Sequence, residues 1–116
     1  MIKPVSELIA EAQTHCECLD PASAKKIFDE NDSVVFLDVR EPHEAAESKL
    51  EHTINIPRGL LEMKIADVCP DPETPILIHC AAGGRACLAA STLKKMGYNK
   101  VSPVTAKYDE IKGTFG

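Results

Sequence analysis

Pro75-Ile-Leu-Ile-His-Cys80-Ala-Ala-Gly-Gly-Arg85 is an apolar run that breaks into four small residues and ends on a guanidinium. Ile76 to His79 suits a strand covered on both faces of a parallel sheet. From Arg85 the chain places Ala86, Ala89, Ala90 and Leu93 on one helical face, carries Lys94 and Lys95 in the last turn and stops at Gly97. A strand, a tight loop and a helix follow one another, with a thiol at the loop's first position. Small residues let several backbone N–H groups turn inward, and the helix start adds positive potential, so the loop is predicted to hold an anion and to favour the thiolate. Cys80 is the candidate nucleophile, and Ala81, Ala82, Gly83, Gly84 and Arg85 are the candidate anion-binding loop.

Upstream, Val34 to Val39 is a second run, apolar except for Asp38, ending at Arg40-Glu41-Pro42. Glu41 to Ser48 reads as a short polar helix, Thr53 to Ile56 as a brief strand closed by Pro57, and Gly59 to Val68 as a further helix. Asp20-Pro21 reads as cap and first position of a helix over Ala22 to Asp29, preceded by a short strand at Cys16 to Leu19. Ser6 is placed as the cap of a first helix over Glu7 to Thr14, and Val101 to Val104 as the last strand. Strands alternating with helices imply an α/β sandwich with a mainly parallel sheet and sites at the strands' carboxyl ends. Asp38 and Cys80 both fall there.

The 116 residues suit one domain, residues 16–116, behind a helical extension at 1–15. Aromatics are 4% and Trp is absent, so the core is expected from Ile, Leu, Val and Ala. A net charge of −5, with scattered Lys and Arg, argues against nucleic-acid binding. Pro4, Glu7 and Glu11 interrupt any leader-like apolar stretch, and no run reaches the roughly 20 apolar residues of a membrane span. A cytoplasmic protein without membrane association is expected. Five cysteines without a regular framework fit a reducing compartment. His15-Cys16-Glu17-Cys18 lacks a second ligand pair, so no metal is assigned, and no cofactor is called for.

Three segments carry a resemblance: Leu37-Asp38-Val39-Arg40-Glu41-Pro42-His43-Glu44, Ile54-Asn55-Ile56-Pro57, and Cys80-Ala-Ala-Gly-Gly-Arg85-Ala86. From about Cys16 onward the chain resembles the single-domain rhodanese family, the thiosulfate-type sulfurtransferases. The resemblance implies a three-layer sandwich around a mainly parallel five-stranded sheet. It further implies that Cys80 takes sulfur from a small anionic donor such as thiosulfate, keeps it as a persulfide and passes it to cyanide, a thiol or a protein acceptor. Asp38 would secure the base of the loop, Arg40 would add to its field, and Arg58 would face the same mouth or stand in solvent. Two stretches depart from the family pattern: Ser48-Lys49-Leu50 with His52 displaced, and Ala106-Lys107 where a Gly-Gly pair and a Trp are common.

Cys87 reads as core filler, and His79 is expected to point away from Cys80 because strand neighbours alternate. Other functions share this loop. Phosphatases and arsenate reductases resemble it but generally hold five residues between Cys and Arg, against four here. A partner-binding module and a sulfur carrier serving protein donors and acceptors are the remaining alternatives.

Overall fold

The two apolar runs become neighbours at the centre of the sheet. In a computed structural model that describes residues 1–116, β1 (Val35–Asp38) lies parallel to β3 (Ile76–His79), with Asp38 beside His79. β2 (Ile54–Asn55) flanks β1, and β4 (Val101–Pro103) flanks β3. The order is β2-β1-β3-β4, all parallel. Each parallel neighbour needs a crossover, and helices on both faces explain why these strands are apolar without alternation.

Side chains divide between the faces by parity. Leu37, Ile76 and Ile78 meet Leu61 and Ile65 of α4 (Leu61–Val68) and Ala86, Ala89, Ala90 and Leu93 of α5 (Gly84–Met96). Phe36 and Leu77 point the other way, toward Ala24 of α2 (Pro21–Glu30) and Ile111 of α6 (Tyr108–Phe115). Three alanines on the inner face of α5 let that helix lie close to the sheet. α3 (Pro42–Glu47), begun by a capping box between Glu41 and Glu44, lies in the β1–β2 crossover, and a 3-10 turn at Arg58–Leu60 leads into α4. No helix is long and apolar enough to cross a membrane.

α1 (Val5–Gln13) lies along α5, with Ala12 buried and Ile9 against Gly84. It starts at Val5, behind Pro4, whose φ of −71° already suits helix entry; Ser6 lies inside the helix and does not cap it.

The sheet has four strands where five were expected. Cys16 to Leu19 contributes only the isolated bridge of Leu19 to Val104. Leu19 N–H donates to Pro103 O at 2.9 Å and Leu19 O accepts from Thr105 N–H at 2.9 Å. On the N-terminal side of those contacts Pro103 presents no N–H to the sheet edge, and on the other side, one residue past Leu19, Asp20 turns away to accept from Ser23 N–H as the cap of α2. The ladder therefore cannot propagate.

Ile78 has no solvent exposure and faces α5. Ile78→Ala is expected to lower the stability by about 3 kcal/mol, measured by urea unfolding. A loss below about 1 kcal/mol would mean that the α4–α5 layer does not close on β3.

Candidate active site

The chain leaves β3 at His79 and enters α5 at Gly84, and the four residues between make a turn that folds back onto Cys80. Gly83 caps α5 at φ +107°, a conformation that L side chains rarely adopt, and a Cβ there would also lie 3.5 Å from Thr105 Cα. This turn brings the N–H of Gly83 to 3.0 Å and that of Ala86 to 3.3 Å from Cys80 Sγ. The sulfur thus accepts two backbone hydrogen bonds at the positive end of a 13-residue helix, and Cys80 is only 1% exposed. Ala82 is exposed, whereas Gly83 is buried.

Beside the loop, Asp38 stands at the carboxyl end of β1 with no exposure. Arg40 donates to it three times: N–H to Oδ1 at 3.0 Å, Nε to Oδ1 at 3.0 Å and Nη2 to Oδ2 at 2.9 Å. Arg40 Nη2 also donates to Ser48 O at 2.7 Å, and its guanidinium lies 4.2 Å from the centre of the Tyr108 ring. Asn55 Nδ2 bridges the carbonyls of Asp38 and Arg40 at 2.9 and 3.0 Å. Tyr108 N–H closes the circuit on the loop, donating to Ala81 O at 2.9 Å. Four segments distant in sequence are thereby tied to the residue that follows Cys80.

His79 points to the opposite face from Cys80, between Phe36 and Tyr108, with its Nε2 3.8 Å from Asp38 Oδ2. Burial pushes its ring below the usual histidine range, so it stays neutral near pH 7. Cys87 is fully buried under Gln13, which donates to its sulfur at 3.8 Å, and burial raises its thiol to about 11.

Arg85 extends from the loop to Glu44 of α3, donating from Nη1 to Oε1 at 2.7 Å and from Nη2 to Oε2 at 3.2 Å. The structure does not bring Arg58 to this mouth. Its guanidinium donates to Glu62 and to Thr92 Oγ1, each at 3.0 Å. Thr92 lies eight residues, or about 12 Å of helix rise, beyond Gly84. In the sequence Glu44 stands only within the short polar helix and the segment that carries the resemblance, and Tyr108 has no local signal, because their partners lie 41 and 27 residues away in the chain.

The family model described as the rhodanese-like domain matches residues 20–113. The Escherichia coli thiosulfate sulfurtransferase PspE is 32% identical over 66 residues, covering 57% of this chain and 64% of its own length. Among solved structures, a Rhodopseudomonas palustris protein of unknown function, described as a possible tyrosine phosphatase, superposes with a TM-score of 0.82 at 26% identity over 100% of this chain and 94% of its own. An Escherichia coli rhodanese solved with anions superposes at 0.62, with 29% identity over 66% and 89%.

The Arg85 guanidinium holds the Glu44 carboxyl down from 4.5 to about 2. A depressed acid contributes stability above its unfolded value, and that contribution fades as pH falls toward the folded one. Glu44→Gln keeps an acceptor suited to the capping box while removing the charge and one of the two acceptors that Arg85 uses. Its thermal midpoint should lie below that of the wild type at neutral pH, with the gap closing between pH 4.5 and about 2. A gap of constant size down to the lower limit would show that the pair does not act through charge.

Proposed function

Because this chain belongs to the rhodanese-like family, we propose that it is a sulfurtransferase carrying sulfane sulfur as a persulfide on Cys80. The observation that carries the reading is the pair of backbone N–H groups, from Gly83 and Ala86, aimed at one sulfur atom at the start of α5. An N–H pair fixed by the fold stabilises developing negative charge there without reorganising.

In the first step the Cys80 thiolate attacks the outer sulfur of thiosulfate. The new S–S bond forms as the bond to the sulfonate sulfur breaks, and sulfite leaves with the electron pair. Cys80–S–S⁻ remains, its terminal charge facing the loop. In the second step an acceptor nucleophile, cyanide or a thiolate, takes the outer sulfur and the electron pair returns to the Cys80 sulfur. One difficult transfer is divided into two displacements. Arg85, braced by Glu44, contributes positive charge at the loop's rim, while Asp38 and Arg40 hold the end of β1 against the loop. Arg58 has no part in this scheme. A cytoplasmic setting, and acceptors that include a partner protein, belong to the same proposal.

The phosphatase reading, which the cysteine-to-arginine loop raises, is also the one suggested for the Rhodopseudomonas palustris protein. Four residues separate Cys80 from Arg85, and both terminal nitrogens of Arg85 are engaged by Glu44. A small ring around one sulfur, with its guanidinium drawn outward, suits a persulfide better than a tetrahedral phosphoryl group.

Thiosulfate treatment is expected to add the mass of one sulfur atom to the protein, removed again by cyanide. Cys80→Ser should abolish the addition, whereas Cys87→Ser should retain it. Cys80-dependent hydrolysis of p-nitrophenyl phosphate without any sulfur loading would replace this reading with the phosphatase.

A further inference from the structure

Beside the loop, α3 and α6 line an open cleft of about 510 Å³ that reaches Ala81, the residue following Cys80. Its cations are not equivalent. Arg40 is committed to Asp38, and Arg85, whose partner Glu44 lines the cleft, is committed to that carboxylate. Lys112 forms no ion pair; its Nζ donates at 2.8 Å to a neutral group, the Ser48 hydroxyl. Ser48 Oγ is itself shared with Tyr108 Oη at 2.8 Å, so the hydroxyl that orients the ammonium is fixed from a second side. An ammonium has three donors, and a hydroxyl neutralises none of its charge. Lys112 is thus a positioned cation with donors to spare, on a helix whose first N–H holds Ala81 O. Glu47 and Asp109 line the same cleft without ion-pair partners. A polyanion would meet repulsion there, whereas a small molecule carrying one carboxylate and one ammonium would meet both signs.

Resting on the sulfurtransferase reading, we infer that this cleft is the acceptor subsite and that Lys112, held by Ser48 and Tyr108, selects small thiols bearing a carboxylate. The acceptor's carboxylate pairs with Lys112 while its thiolate sulfur attacks the outer sulfur of Cys80–S–S⁻. The bond formed is the acceptor's S–S, and the bond broken is that of the persulfide. The electron pair returns to Cys80, and the products are R–S–S⁻ and the Cys80 thiolate, with no external oxidant or reductant required.

A single-turnover measurement isolates this step from donor binding. The protein is loaded with thiosulfate, desalted and mixed with 2-mercaptoethanol, cysteamine, 3-mercaptopropionate or cysteine, and loss of the added sulfur is followed by mass. Each rate is divided by that for 2-mercaptoethanol, and comparing the ratio between wild type and variant cancels the intrinsic reactivity of each thiol. In Lys112→Gln the ratios for 3-mercaptopropionate and cysteine are expected to fall about fivefold, the upper end for one solvent-exposed charged contact. The cysteamine ratio should not fall, and Lys112→Arg should restore the carboxylate ratios. Loaded protein whose carboxylate ratios are unchanged in Lys112→Gln would overturn this inference alone. Failure of the wild type to load sulfur would overturn the sulfurtransferase reading and this inference with it.

Discussion

A carboxylate with no solvent exposure ends the first central strand, and much of the active end of the molecule follows from how it is compensated. Asp38 is tolerable there because Arg40, two residues on, donates three hydrogen bonds to it. Removing one partner of such a pair leaves a buried charge, at a cost of roughly 3–5 kcal/mol. Arg40 in turn cannot move, so it becomes a platform for the Tyr108 ring and a donor to Ser48 O. Tyr108 then carries the constraint to Ala81 through its backbone N–H. The ion pair therefore fixes the wall of the Cys80 loop without touching the sulfur.

The loop itself is set by a different requirement. Between a buried strand and a helix that must lie flat on it, the chain has four residues in which to reverse, and Gly83 supplies the positive φ. The same turn points two N–H groups at Cys80 Sγ. α1 presses on this turn from outside, since a Cβ at Gly84 would lie 3.0 Å from Ile9 Cδ1. Gly83 is needed for backbone conformation, whereas a Cβ at Gly84 would require the Ile9 side chain to give by a few tenths of an ångström.

Features written in consecutive residues were legible. The apolar runs at Val35–Asp38 and Ile76–His79, the small residues after Cys80 and the Lys94-Lys95-Gly97 stop are local patterns, and they order the strands and helices of an α/β sheet. Edge pairing was not legible, because it turns on which side of β4 the N–H missing from Pro103 would have faced. Side-chain destinations were harder still. Arg58, in the 3-10 turn, has a local partner, Glu62, four residues on in the first turn of α4, an i,i+4 signal that competes with any pull toward the loop. Glu44 and Tyr108 became visible as neighbours of the loop only once the β1–β2 crossover and α6 were brought to the carboxyl end of the sheet.

On the proposed sulfurtransferase reading, the loop whose Gly83 and Ala86 N–H groups donate to Cys80 Sγ holds a second sulfur on that atom. A crystal structure of the protein after treatment with thiosulfate tests it most directly. The expected result is one additional sulfur bonded to Cys80 Sγ, with its outer atom within hydrogen-bonding distance of loop N–H groups. An unmodified Cys80 beside sulfur added to Cys16, Cys18 or Cys87, or thiosulfate bound away from the loop, would contradict it.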